Sequence, residues 1–132
     1  MKRAFLQIAA AGFVLAAASG AKAAPVSEDN FMLKTTADLV ALCSADKADP
    51  LYTAAVNYCH GFAIGTYRML EIEDQASRNK RKSLCVDKSG MTRSQAISSF
   101  VTWAADKPKV MASAPTEGFG QYVLESFTCN KK

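Results

Sequence analysis

The feature that most constrains the fold is a set of four cysteines, Cys43, Cys59, Cys85 and Cys129, in a chain of 132 residues. No two of them form a Cys-x-x-Cys pair. The one histidine, His60, sits beside Cys59 rather than at ligand spacing, so neither a structural zinc site nor a c-type haem is encoded. Whether such cysteines remain thiols or form disulfides depends on the compartment, and the N-terminus bears on that. Lys2 and Arg3 precede an apolar run from Ala4 to Gly20, and Ala21-Lys22-Ala23 supplies the small residues that a signal peptidase reads. The pattern predicts a secretory signal peptide over residues 1–23, cut after Ala23, and a single domain over residues 24–132. A retained membrane anchor is the alternative. The run is at the short end for a spanning helix and is followed by a cleavage pattern, so the mature chain is expected free of the membrane, in the periplasm. An even number of cysteines in an exported chain reads as disulfides.

Export also changes the charge argument. The whole chain carries 16 Lys and Arg against 12 Asp and Glu, but Lys2, Arg3 and Lys22 leave with the signal, so 13 cations face 12 acids. That near-neutral balance gives no footprint for nucleic acid.

The remaining pattern is helical. Thr35 and Asp38 form a capping-box spacing ahead of a short helix over about 36–43 that buries Leu39, Val40 and Leu42. Residues 24–34 read as a loose polar lead-in. Asp49-Pro50 opens a long helix that runs to about Asp74, with Ala55, Cys59, Phe62, Ala63, Thr66 and Leu70 on one face. Gly61 and Gly65, four apart on a neighbouring stripe, signal either a partner element packed on bare backbone or merely tolerated helix weakness. Thr92 and Gln95 cap a third helix over about 93–105, buried through Ala96, Ile97, Phe100, Val101 and Ala104, with Trp103 at the core edge. Asp106-Lys107-Pro108 stops it. A last helix over about 114–127 places Phe119, Tyr122, Val123 and Phe127 inside, weakened by Gly118 and Gly120. No strand alternation interrupts this. The expected fold is all-α, a small bundle of about four helices stapled by two disulfides.

Four cysteines allow three connectivities. Antiparallel packing of the last two helices would bring Cys85, ahead of one, to Cys129, behind the other. A tight hairpin of the first two would bring Cys43 to Cys59. This pairing ranks first, with the others left open.

Catalytic constellations are absent from the sequence. No Gly-x-Ser-x-Gly elbow accompanies His60, and no phosphate loop occurs. Glu71, Glu73 and Asp74 read as a solvated helix end. Nothing calls for a cofactor. The segment from Gln75 to Ser83 carries Arg78, Lys80, Arg81 and Lys82 without interleaved aromatics. It reads as a solvated loop and, if a binding surface exists, as the first place to look for contacts with a protein partner.

Tyr58-Cys59-His60-Gly61-Phe62-Ala63-Ile64-Gly65 resembles the aromatic-Cys-x-Gly-aromatic-x-x-Gly element of the Rap/Tai family, immunity proteins against cell-wall amidase toxins of type VI secretion. Leu39 to Cys43 is similar to that family's first-helix element. Cys85 with Gly90, Thr92 and Gln95 is similar to its turn, and Val101 to Pro108 and Val123 to Cys129 to its closing helices. Val86-Asp87-Lys88 stand where that family has a proline after the third cysteine. The resemblance implies a non-enzymatic protein, dimeric and in the periplasm, that binds a cognate toxin and occludes its active-site cleft. The competing expectation is a periplasmic structural or chaperone-like protein that shares only the scaffold; promiscuous binding of unfolded clients at low pH would distinguish it.

Overall fold

The computed structural model describes residues 24–76, 84–85 and 89–129. The signal peptide expected over residues 1–23 lies outside them.

Five α-helices follow in order: α1 (Thr36–Cys43), α2 (Tyr52–Ala76), α3 (Arg93–Ala104), α4 (Pro108–Ala112) and α5 (Pro115–Ser126). Among the described residues the only β pairing is an isolated antiparallel bridge between Leu84 and Thr128. The all-α fold is as the periodicity requires, with two differences.

The first is the lead-in, which is not loose. Val26 is buried, and its N–H donates to Asp49 Oδ2 at 2.8 Å. A 3-10 turn over Glu28–Met32 follows, capped by Ser27 and Asn30, and Asn30 Nδ2 donates to Asp38 Oδ1 at 3.1 Å. A polar run was read as solvated. Its polar groups instead tie it to α1 and to the loop that opens α2. The second difference is the short helix α4. Pro108 does stop α3, but its fixed φ and missing N–H also suit the first turn of a new helix, and it occupies that position in α4.

The caps explain where α1 and α3 begin. Thr35 N donates to Asp38 Oδ2 at 2.9 Å, while Asp38 N donates to Thr35 Oγ1 at 3.4 Å. Thr92 N donates to Gln95 Oε1 at 2.8 Å, and Gln95 N donates to Thr92 Oγ1 at 3.2 Å. Each box satisfies two N–H groups that a helix start leaves unpaired.

The core is the meeting of four apolar faces: Leu39 and Leu42 from α1, Ala55, Cys59 and Ala63 from α2, Ile97, Phe100 and Ala104 from α3, and Phe119, Tyr122 and Val123 from α5. Phe100 is its aromatic hub, with ring centroids 5.1 Å from Phe119 and 5.5 Å from Tyr122. The Tyr122 hydroxyl, carried into this apolar setting, donates to Ala96 O at 2.9 Å. Burial pushes its pKa up, with an opposing contribution from Ser99.

Cys43 is bonded to Cys59, and Cys85 to Cys129, with Cα–Cα distances of 5.2 Å in both. The first bond joins the end of α1 to the middle of the buried face of α2. The second ties the approach to α3 to the exit of α5, and Cys85 N donates to Phe127 O at 2.7 Å beside it.

At Gly118 α1 and α5 approach so closely that there is no room for a Cβ. Helix α1 crosses α5 there, with the buried Thr36 seated on the bare backbone. Thr36 N donates to Ser113 O at 2.8 Å, and its Oγ1 lies 3.1 Å from both Ser113 O and Ala114 O. The glycine that weakens α5 as an isolated helix is therefore what allows α5 to meet α1.

Candidate functional site

The basic residues singled out from the sequence, Arg78, Lys80, Arg81 and Lys82, lie outside the described residues. The acidic cluster ahead of them is partly engaged in holding the end of α2. Glu71 Oε2 accepts from Arg68 Nη1 at 2.6 Å, and its other oxygen accepts from the Tyr67 hydroxyl at 3.2 Å. The Arg68 hydrogen bond, helped by its charge and by Tyr67, holds the half-buried Glu71 carboxyl below the usual range. Asp74 Oδ2 accepts from Leu84 N at 3.3 Å. A carboxylate paired to an arginine in solvent is poorly placed to move protons, so this cluster supports α2 rather than acid–base chemistry.

Trp103 also proves to be a core-edge residue. Its indole N–H donates to Glu125 Oε2 at 3.1 Å, and Lys107 Nζ sits 4.8 Å from its ring centroid. His60 is half-buried on α2. Among the described residues, no group of three His, Cys, Asp or Glu side chains could hold a metal ion, and no helix is long and apolar enough to cross a membrane.

Two surface features remain; sequence reasoning missed the first and singled out only Gly61 and Gly65 of the second. One is a half-open cavity of about 180 Å³ between α2, α3 and α5. Ala63, Ile97 and Phe119 are among the residues that form its apolar wall, and Arg68, Arg93 and the half-exposed Met91 stand around it. Its volume is close to that of an apolar cavity that admits a benzene ring, so it has room for one apolar side chain. No sequence signal could have located it, because a void between three helices depends on their relative placement.

The other is the outer face of α2. Tyr58, Met69 and Ile72 are 42%, 56% and 57% exposed there, around the exposed Gly61 and Gly65. The two readings of these glycines now separate. Nothing in the described chain packs on either one, since an added Cβ would meet no atom within 4 Å. A sequence signal did exist: Tyr58, Gly61, Gly65, Met69 and Ile72 recur at intervals of three and four without a charge among them.

These features define a small, disulfide-stapled helical protein whose distinctive surfaces are apolar. The sequence places it more narrowly: residues 35–129 match the Rap1a immunity proteins, and the chain belongs to that family. The match spans both disulfides, every α-helix of the described residues and the outer face of α2. No curated protein and no solved structure matches the chain.

Proposed function

We propose that the protein is a periplasmic immunity protein that binds a cell-wall amidase toxin delivered by type VI secretion and occludes its active-site cleft, without catalysis of its own. The observation that carries this is the family match over residues 35–129. The signal pattern over residues 1–23 supports the compartment, because an inhibitor of a wall-degrading toxin is useful only where the toxin meets the wall. Two disulfides support the mode of action: a scaffold already ordered by cross-links loses little further freedom when it docks. Arg78, Lys80, Arg81 and Lys82, with the adjoining end of α2, form the proposed toxin-binding surface, and the working form is a homodimer.

The test is a pull-down from periplasmic extract with oxidised mature protein, followed by mass spectrometry and an amidase assay. Recovery of a wall amidase that loses activity at stoichiometric inhibitor is the expected result. Capture of many unrelated unfolded proteins, or an amidase that stays active when bound, overturns the reading. For the surface, R78E/R81E should weaken capture at least 10-fold, in line with the ~2–5 kcal/mol cost of disrupting well-formed interfacial charge contacts. Unchanged capture removes the basic segment from the interface.

A further inference from the structure

The cavity between α2, α3 and α5 reaches from the surface into the core. Ile97, Phe119, Tyr122 and Val123 line it, and all four are buried. The hydroxyls along its wall are already engaged. Tyr122 donates to Ala96 O at 2.9 Å, Tyr67 donates to Glu71 Oε1 at 3.2 Å, and Thr92 Oγ1 accepts from Gln95 N at 3.2 Å. Such a wall suits hydrocarbon and holds water poorly, because a buried water needs at least about two polar partners. At about 180 Å³ the space slightly exceeds that of an engineered apolar cavity of ~150 Å³ that takes up benzene.

Charge is confined to the mouth. The charged side chains that line the cavity are Arg68 and Arg93, both exposed. Arg68 is partly neutralised by Glu71, whose Oε2 lies 2.6 Å from its Nη1. Arg93 makes no ion pair among the described residues. Two guanidiniums against one carboxylate leave the mouth one positive charge in excess. A planar guanidinium also presents paired donors that match the two oxygens of a carboxylate. Met91, exposed beside them, has a flexible thioether that can fold over an apolar entrant.

We propose that this cavity is a binding site for a small amphiphilic monocarboxylate. One aromatic ring, or a chain of roughly six to eight carbons, enters between the helices. The carboxylate stays at the mouth against Arg93 and Arg68. An apolar wall with a few polar groups set at one end is the usual construction of a small-molecule site. Size and polarity narrow the class. A full-length lipid chain would overrun the space. A sugar or a peptide backbone would bring hydroxyl or amide groups that find no partners on the wall. The depth of the cavity favours a free molecule over a side chain on a folded partner. The occupant has to pass the mouth and reach residues buried beneath it, and a molecule that carries its apolar body and its charge together satisfies wall and rim at once. Nothing in this depends on the protein capturing a toxin.

Calorimetric titration of oxidised mature protein with octanoate and with phenylpropionate tests this. One molecule of each should bind per chain, with Kd on the order of 10–100 µM for about ten heavy atoms. Octanol, matched in body but uncharged, should bind about 5- to 10-fold more weakly, and acetate not detectably. Arg93→Gln should bring octanoate down to the affinity of octanol, leave octanol unchanged and leave the thermal melt unaltered. Ala96→Leu, which fills the cavity, should abolish binding of both. The Ile97 methyl signals of the unsubstituted protein should shift on adding octanoate, which locates the site even where Ala96→Leu fails to fold. Failure of both acids to bind, or binding that leaves the Ile97 methyls in place, overturns the proposal. Equal affinity for octanol and octanoate overturns the carboxylate class. Loss of amidase capture in a folded Ala96→Leu, with no acid bound by the parent protein, gives the cavity to an apolar side chain of a protein partner and overturns the free ligand.

Discussion

Gly118→Ala should destabilise the protein, although alanine is the better helix former. In an open helix the exchange gains about 1 kcal/mol. At this position the new methyl would stand 2.9 Å from Thr36 Cβ and 2.6 Å from Thr36 Cγ2, with the hydroxyl oxygen closer still. Thr36 is fully buried, so it cannot swing into solvent. Either α1 moves off α5 or the Thr36 side chain rotates away from Ser113 O and Ala114 O. Overpacking a filled site costs about 1–3 kcal/mol, and a buried hydroxyl deprived of its acceptors about 1–3 kcal/mol more. Subtracting the gain in helix propensity leaves a net loss of roughly 1–5 kcal/mol, or a fall in Tm of at least about 5 °C. Urea denaturation of the oxidised protein, followed by the single Trp103 beside Phe100, reads this directly. Thr36→Ala removes the hydroxyl and Cγ2, so the double variant should lose less than the sum of the two single losses, with a coupling of about 1 kcal/mol or more. An equal or higher stability for Gly118→Ala would refute the close-approach argument.

Three further outcomes follow from the same geometry. Serine replacement of Cys85 and Cys129 should cost about 4 kcal/mol and that of Cys43 and Cys59 about 3 kcal/mol in the chain-entropy model, since the loops closed span 44 and 16 residues; chemical denaturation of each double variant checks the order. Asp38 supplies an acid-sensitive contribution: burial raises its pKa, but hydrogen bonds from Thr35, Asn30 and the Lys34–Thr35 backbone outweigh that and hold it below its ordinary 3.8. A depressed carboxylate stabilises above its unfolded pKa and loses that contribution as pH falls through the folded value, so D38N should flatten the stability–pH profile below about pH 4 while leaving its shape near neutrality unchanged. Thr92→Ala, which removes one half of the box that starts α3, should cost about 1 kcal/mol in the same denaturation assay.

Much of this architecture was legible because its signals are local. A capping box spans four residues and a buried face repeats every three or four, so α1 and α3 could be placed from Thr35, Asp38, Thr92 and Gln95. The disulfide pairing ranked first from helix order is the one present: the end of α1 lies against the buried face of α2 at Cys59, and the approach to α3 adjoins the exit of α5. What escaped was tertiary. Val26 and Asn30 look like solvated lead-in until Asp49 and Asp38 arrive from later in the chain to bind them. Pro108 ends one helix in any reading, but its role in starting α4 depends on Val110 finding a buried place. The cavity beside Met91 belongs to three helices at once and to no segment of sequence.

The glycines show most clearly why a motif has to be read against the fold. Gly118 reads in the sequence as a weakness in α5; it is instead a point at which α1 and α5 touch. Gly61 and Gly65 sit inside the Tyr58–Gly65 element that carries the resemblance, yet among the described residues nothing lies within 4 Å of where their Cβ atoms would be. Cys59, from the same eight residues, is fully buried and cross-linked. One short element thus serves two purposes through helical geometry alone: Cys59 and Ala63 face the core, while Gly61 and Gly65 lie on the outer surface. Such an element preserves the scaffold and one smooth apolar surface together, but it contains no charged side chain with which to tell one toxin from another. In the proposed immunity role, specificity would have to come from side chains outside that element, and Arg68 and Arg93 beside the cavity and the basic segment proposed as the toxin-binding surface are among the charged side chains that could supply it.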